Sequence, residues 1–248
     1  MPVVFVHGNP ETSAVWGPLL EELDRYHVIC LSPPGFGAPV PPGWKASILN
    51  YRDWLIAELE RIGEAVDLVG HDWGGGHVLN VAMARPDLLR SWCSDLLGCF
   101  DTDYKWHPDA RVWQTADTGE AAVAALVADP WSKLASLVQQ RGLPDVIARH
   151  FAEHIDEVMG DCILRLYRSA AQPTMANLGA DLSLASARPG LAVIAEADHN
   201  VGDIEMRARA AARAGAQVAR LDGLDHWWMA ENPRRAADVL RVFWHSVS

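Results

Sequence analysis

The sequence is short of several things, and each shortage removes a class of explanation. Only four of its 248 residues are cysteine (Cys30, Cys93, Cys99 and Cys162), with no C-x-x-C spacing among them. A chain of this length builds its own core without disulfide staples, so these thiols read as reduced and mostly buried. Cations are scarce as well: 21 Lys+Arg stand against 32 Asp+Glu, a net charge of −11. Such a surface repels the phosphate backbone on which nucleic-acid affinity mostly rests, and it argues equally against anionic membranes. Unbroken apolar runs fall far short of the ~20 residues a membrane-spanning helix needs. Internal repeats, low-complexity tracts and blocks of one charge are missing too. The first residues, Met1 to Gly8, carry no basic leader and run straight into candidate site sequence, so a signal peptide is not expected and a cytoplasmic location is.

What is present is an ordinary globular composition, 50% hydrophobic and 21% charged, enough for one core and an insertion. Apolar runs of strand length alternate with amphipathic stretches, the pattern of βαβ units around a parallel sheet. Strands are expected at Val3–Val6, His27–Leu31, Val66–Val69, Arg90–Leu96, Leu191–Ala195 and Gln217–Leu221. None alternates strictly, as strands buried on both faces should not. Helical spacing marks Ser47–Ile62, Gly75–Ala84, Asp203–Ala214 and Pro233–Val242, while the Pro/Gly-rich Ser32–Trp44 reads as a long loop. The alternation stops between about Asp103 and Leu178. Gly119–Ala128, Trp131–Gln140, Pro144–Met159 and Cys162–Ala171 all read as helices there, with Ile147, Phe151, His154, Ile155 and Val158 on one face of the third. Four helices without a strand between them predict an inserted lid. The expected division is a core of 1–102 and 179–248 and a helical cap of 103–178.

The most informative segment runs from Val66 to Gly76. A buried strand leads into Gly70-x-Asp72-x-Gly74 and then at once into a helix, the geometry of a nucleophile elbow, whose small flanking residues let the backbone turn sharply and present one side chain. Aspartate holds the usual serine position. A carboxylate needs no deprotonation at neutral pH and attacks carbon bearing a leaving group, forming an ester. His7-Gly8-Asn9-Pro10 follows the first strand, where backbone N–H groups of Asn9 and Trp73 could face developing negative charge. One later strand ends at Asp198 and another at His226. The order Asp72, Asp198, His226 is that of nucleophile, acid and base, each beyond the carboxyl end of a strand. His226 is the expected general base and Asp198 the carboxylate that orients it, with Glu196, Asp203 and Asp225 as rival acids.

These motifs resemble the α/β-hydrolase superfamily, specifically its epoxide hydrolase and haloalkane dehalogenase branch. Gly70-His-Asp-Trp-Gly-Gly75 is similar to the branch's aspartate elbow, Ala195-Glu-Ala-Asp198 to its acid loop, and His226 with Glu231-Asn-Pro233 to its histidine loop. The resemblance covers residues 1–102 and 179–248, and the expected lid matches the branch's cap in length and place. It implies an α/β-hydrolase fold, a mainly parallel sheet lacking the family's two leading strands because Val3–Val6 comes first, with an inserted helical cap. That departure leaves an edge in question.

Within the branch both reactions make the same alkyl ester, so the leaving group decides between them. An epoxide oxygen leaves as a basic alkoxide and needs a proton donor. The resemblance points to Tyr167 in Leu166-Tyr-Arg168 for that role; Trp113 stands where a second tyrosine is expected, and Tyr104 is a substitute. A halide needs only N–H donors, and Asn9 with Trp73 matches such a pair, Trp113 adding another. Epoxide hydrolysis ranks first, haloalkane or haloacid dehalogenation second, and a ligand-binding relative without turnover third. Eleven tryptophans put Trp73, Trp106, Trp113, Trp227 and Trp228 in or near the expected cleft, which suits a small apolar or aromatic substrate. Trp227 is assigned to substrate contact.

Remaining features are weaker. His150 and His154 share a helix face, but the sequence is not H-E-x-x-H and no third ligand is indicated. The Gly74–Gly76 run lacks the lysine of a phosphate loop. Neither metal nor cofactor is therefore expected, and a homodimer is compatible with the sequence. His71 and His77 read as packed neighbours of the nucleophile, and Asp95 as a partner of site residues.

Overall fold

In the computed structural model, which describes residues 2–24 and 27–247, the continuous apolar runs become strands and the periodic stretches become helices around them. Strand β1 (Val3–Val6) passes through a 3₁₀ turn (Ser13–Trp16) into α1 (Gly17–Glu22) and β2 (Val28–Leu31). Helix α2 (Ile48–Ile62), β3 (Val66–Gly70), α3 (Trp73–Ala84) and β4 (Leu89–Ser94) follow. Six helices come next: α4 (Pro108–Gln114), α5 (Thr118–Ala128), α6 (Pro130–Arg141), α7 (Asp145–His154), α8 (Glu157–Ser169) and α9 (Thr174–Gly179). The chain then returns through β5 (Gly190–Ala195), α10 (Ile204–Arg213), β6 (Gln217–Leu221), α11 (Trp228–Glu231) and α12 (Pro233–Ser246).

The strands form one sheet in the order β2-β1-β3-β4-β5-β6, every neighbouring pair parallel. Right-handed crossovers put α1 and α2 on opposite faces, because the chain first steps outward to β2 and then back past β1 to β3. Accordingly α1 packs on α12, and α2 packs on α3. The reversal leaves a crevice beyond the carboxyl ends of β1 and β3. Gly8 and Asn9 follow β1 there, and Asp72 follows β3.

Burial on both faces holds for the central strands β1, β3, β4 and β5. It fails at the edges: β2 is half-buried along its length, and β6 exposes Gln217, Val218 and Arg220. Asp67, inside β3, is fully buried, accepts a hydrogen bond from Ser91 Oγ at 2.6 Å and pairs with Arg90, both from β4. That pairing lets a charge sit in a central strand. Ser47 and Asn50 close a capping box at the start of α2, and Gly63 ends that helix in a left-handed conformation.

The helix expected over Pro144–Met159 is two helices. Asp156 accepts from the N–H of Met159 at 2.8 Å and so starts α8 afresh, which then absorbs most of Cys162–Ala171. The break splits the expected apolar face: Ile147, Phe151 and Ile155 are buried, whereas His154 and Val158 are exposed. Helices α1, α4, α9 and α11 lie outside the expected set, each seven residues or shorter. No single helix among the described residues is long and apolar enough to cross a membrane. All four thiols are free, with Cys93, Cys99 and Cys162 buried and Cys30 half-buried. Burial raises each thiol pKa, that of Cys30 to about 11.

Gly74 shows how tightly the elbow is held. A Cβ placed on it would stand 2.0 Å from the carbonyl oxygen of Val6, backbone that cannot step aside. Gly74→Ala is expected to cost at least ~2 kcal/mol, a fall of about 5 °C or more in Tm. Gly17→Ala, with nothing within 4 Å of the new methyl, should leave Tm unchanged. Equal melting of the two variants would remove the elbow's steric constraint.

Candidate active site

Asp72 sits at φ 49° and ψ −127°, a strained backbone for a residue with a side chain. Two interactions hold it there. Its N–H donates to Asp95 Oδ1 at 2.9 Å, and its Oδ1 accepts from the N–H of Asn9 at 3.1 Å. The close approach requires glycine at position 8, where a Cβ would lie 2.2 Å from Asp72 Oδ1. Burial pushes the Asp72 pKa up to about 6, against the pull of His226 and the backbone N–H of Trp73.

His226 approaches from the loop after β6. Its Nε2 lies 3.9 Å from Asp72 Oδ2, too far for a hydrogen bond. Its Nδ1 donates to Asp198 Oδ2 at 2.8 Å. Burial alone would raise Asp198, but the charge and hydrogen bond of His226 hold it well below the usual carboxylate range. Burial alone would likewise lower His226, and Asp198 reverses that. The three side chains are nearly buried, 4–8% exposed, and so interact in a poorly screened environment. Of the rival acids, Glu196 pairs with Arg220, Asp203 caps α10, and Asp225 pairs with Arg141.

Beneath this trio lies a second group. His71 is 0% exposed and bonds Glu11 Oε1 through Nε2 at 3.1 Å and Asp95 Oδ2 through Nδ1 at 2.6 Å. Both ring nitrogens face carboxylates, so both donate and the ring is an imidazolium. Burial would lower His71, yet the two carboxylates raise it well above the ordinary value. Glu11 also accepts from the N–H of Gly8 at 3.0 Å and from Trp227 Nε1 at 2.7 Å. Asp95 also accepts from Trp228 Nε1 at 2.8 Å. Donor atoms of Glu11, His71 and His226 lie within 4.8 Å of one another, but the bond between Glu11 and His71 occupies two of the three.

A cavity of about 740 Å³ opens above Asp72 and His226. Helices α4, α5 and α6 supply Val112, Trp113, Ala122, Ala125, Leu126 and Leu137 to its lining. Its cations are already paired: Lys133 with Asp109 at 2.8 Å, and Arg141 with Asp198 and Asp225. Asn9, Tyr167, Trp113 and Trp227 all line the cavity. Both polar atoms of the Asn9 side chain are buried without a partner. Tyr167, on α8, is wedged edge-on to Trp73, ring centroids 5.2 Å apart, and lies against Trp113 at 4.7 Å. Arg168 fixes this corner by bonding Glu120 and the carbonyl of Trp113. Burial and the nearby Asp72 charge raise Tyr167 well above the ordinary phenol value, so it stays protonated as a donor.

Other expected positions fall elsewhere. Trp73, Trp106 and Trp228 are buried away from the cavity lining, Trp73 and Trp106 stacked on each other at 5.7 Å. Tyr104 cannot replace a missing second tyrosine, because its hydroxyl donates to the carbonyl of Asn200 at 2.6 Å. His77 is a packed neighbour, as expected: buried, stacked on Tyr51 at 4.9 Å and lowered by desolvation to about 3. His150 spends its Nδ1 on Thr12 Oγ1 at 2.9 Å. Sequence reasoning missed Glu11 and Arg141. Glu11 had a signal, standing three residues after Gly8 in the loop behind β1; Arg141 had none.

Asp72, Asp198 and His226 meet beyond the carboxyl ends of a parallel sheet, the layout of a hydrolase fold. The chain belongs to the alpha/beta hydrolase family, whose model matches residues 3–239. It is similar to an (E)-2-((N-methylformamido)methylene)succinate hydrolase of Acinetobacter baylyi, 32% identical over 91 residues, 36% of this chain and 35% of that protein. Similarity to an epoxide hydrolase of Caballeronia sordidicola reaches 36% over 96 residues, 36% of this chain and 29% of that one. Each match thus spans about a third of the relative's length. In three dimensions the fold is similar to that of haloalkane dehalogenase DbeA from Bradyrhizobium elkani, with a TM-score of 0.74 at 20% identity over 98% of this chain and 91% of that one.

The raised Asp72 pKa is a statement about stability as well as charge. From the ordinary 3.8 up to about 6 the folded protein holds a proton that the unfolded chain releases. Stability is therefore lost as pH rises through that window and stays lost above it. Asp72→Asn removes the buried charge and is expected to stabilise the protein at pH 8 by about 1–3 kcal/mol, with the gain shrinking towards pH 4. Thermal melts at the two pH values measure this; a lower Tm for Asp72→Asn at pH 8 would show that Asp72 is not strained by burial.

Proposed function

We propose that the protein hydrolyses epoxides to diols through an alkyl ester on Asp72. The observation that carries this reading is Tyr167, a protonated phenol lining the same cavity as Asp72 and His226. Asp72 Oδ2, bonded to neither His226 nor Asn9, attacks an epoxide carbon. As the C–O bond breaks, its electron pair stays on oxygen, which takes a hydrogen bond and then the proton of Tyr167. His226 next takes a proton from water, whose oxygen adds to Asp72 Cγ. The resulting oxyanion, at Oδ1, faces the N–H groups of Asn9 and Trp73. Collapse returns the proton from His226 to the leaving alkoxide and leaves Asp72 as the acid, whose remaining water-derived proton goes to the Tyr167 phenolate, restoring both carboxylate and phenol. Asp198 keeps the imidazole turned and stabilises its charged form.

Helices α4 to α8 act as the cap that supplies Tyr167 and excludes water. Because Lys133 and Arg141 already hold carboxylates, the cavity suits an uncharged substrate of small or medium size better than a haloacid. A second reading has its own observation. The unpartnered amide of Asn9 beside Asp72 is a ready donor to halide, which favours carbon–halogen cleavage through the same ester.

Exposure of His226→Gln to an epoxide panel, followed by intact-protein mass spectrometry, is expected to show an adduct on the Asp72 peptide, because the ester forms and is not released. Turnover by that variant without an adduct would falsify the covalent route. The leaving group is decided by comparing two further variants. Tyr167→Phe is expected to slow ester formation from epoxides by ~10²-fold or more, while Asn9→Ala changes it little. Release of bromide from 1-bromoalkanes, no product from any epoxide, and greater damage from Asn9→Ala than from Tyr167→Phe would replace the epoxide reading by the dehalogenase one.

A further inference from the structure

Arg141 reaches the site from the inserted helices. It is the last residue of α6, half-buried, and is followed by Gly142 in a left-handed conformation at φ +70°. Its guanidinium bridges two carboxylates: Nη2 lies 3.1 Å from Asp198 Oδ1 and 2.5 Å from Asp225 Oδ1, and Nε lies 3.1 Å from Asp225 Oδ2. Both carboxylates also hold His226. Asp198 Oδ2 takes its ring N–H at 2.8 Å, and Asp225 Oδ1 takes its backbone N–H at 2.6 Å. One side chain of the insertion therefore touches the group that orients the imidazole and the group that fixes its backbone.

We propose that Arg141 is a positioning residue for the base, fixing the Asp198 carboxylate in the plane His226 needs and drawing off part of its charge so that the imidazole remains available to take a proton. The role rests on His226 and Asp198 being base and orienting acid. A buried arginine, Arg207, secures the acid loop from the core side by donating to the carbonyls of Ala195 at 2.7 Å and Asp198 at 3.1 Å. Those bonds hold the main chain and leave the carboxylate free to rotate. Asn200 N–H and Arg141 Nη2 both donate to Oδ1, at 2.9 and 3.1 Å, so Arg141 is the charged side-chain donor that fixes Oδ1 while Oδ2 faces His226.

Charges face His226 from every side. Asp198 and Asp72 favour its protonated form; His71, with ring centroids 4.7 Å away, opposes it. Buried Glu11, whose carboxylate lies within 4.8 Å of the ring nitrogen, also favours the protonated form, and His107 at the N-terminus of α4 acts on it as well. Against that fixed background, loss of the cation beside Asp198 leaves more of the carboxylate's charge to the imidazole, which then holds its proton to higher pH. A base protonated at working pH cannot activate water.

The test follows the His226 side-chain nitrogens by NMR across pH in the resting protein, and the rate of ester hydrolysis in single turnover. In Arg141→Gln the titration of His226 is expected to move to higher pH. Ester hydrolysis slows ~3- to 10-fold at its plateau and ~10-fold further one pH unit below the wild-type midpoint, while ester formation changes less than twofold. Arg141→Lys, which keeps the charge but not the fork, should keep the wild-type titration and lose only plateau rate. Unchanged titration in Arg141→Gln overturns the role. Asp198→Asn separates the two layers of the argument. If it fails to lower the His226 titration, the reading of the acid and base falls; if it does lower it while Arg141→Gln has no effect, only the role of Arg141 falls.

Discussion

An imidazolium buried between two carboxylates, Glu11–His71–Asp95, is the interaction on which the arrangement of this site depends. An unpaired charge at that depth would cost several kcal/mol, so each member needs the others. The group is useful because its spare acceptor positions are spent on loops. Glu11 holds the N–H of Gly8 and the indole of Trp227; Asp95 holds the N–H of Asp72 and the indole of Trp228. Segments following β1, β3, β4 and β6 are thereby fixed to a single buried unit. The strain at Asp72 can persist because its N–H is anchored in that unit rather than in a flexible turn.

The inserted helices reach back to the same loops. Thr12, just after Glu11, bonds His150 of α7, and Arg141 of α6 bonds Asp225, next to His226. The walls of the cavity are thus tied to the loops at its floor, which adds to the packing that holds Tyr167 in a defined place. The aromatic packing of Tyr167 with Trp73, Trp106 and Trp113 is an extension of that tie. It joins the elbow residue after Asp72 to helices α4 and α8 through ring contacts of 4.7–5.7 Å.

Much of this was legible in the sequence where a local pattern carries the information. Val3–Val6 matches its expected bounds because a central parallel strand is a short apolar run with little else in it; the edge strand Gln217–Leu221 matches too, although it is partly polar and exposed. The elbow was legible because backbone strain demands glycine at fixed offsets from Asp72. The break between α7 and α8 was not, since an aspartate within an apolar periodicity reads as one polar residue unless it is known to turn onto its own backbone. Arg141 was invisible for another reason. Its partners stand 57 and 84 residues away, and only the docking of α6 brings them together. Asp95 reads from the sequence as a partner of site residues, but which ones it serves requires knowing that His71 and Trp228 share its surroundings.

The state of the thiols acquires a meaning beside the proposed chemistry. Epoxides and alkyl halides are alkylating agents, and in an ordinary protein the thiolate is the group they find first, because the thiolate rather than the thiol is the nucleophile. Here three cysteines are buried and Cys30 is half-buried, and burial raises the pKa of all four so that they stay neutral thiols. The proposed reaction would then leave a carboxylate, much the poorer nucleophile in water, as the group that meets the electrophile in the cavity. On the proposed chemistry the fold would thereby spare the protein self-inactivation, because the ester on Asp72 is the adduct that water reverses.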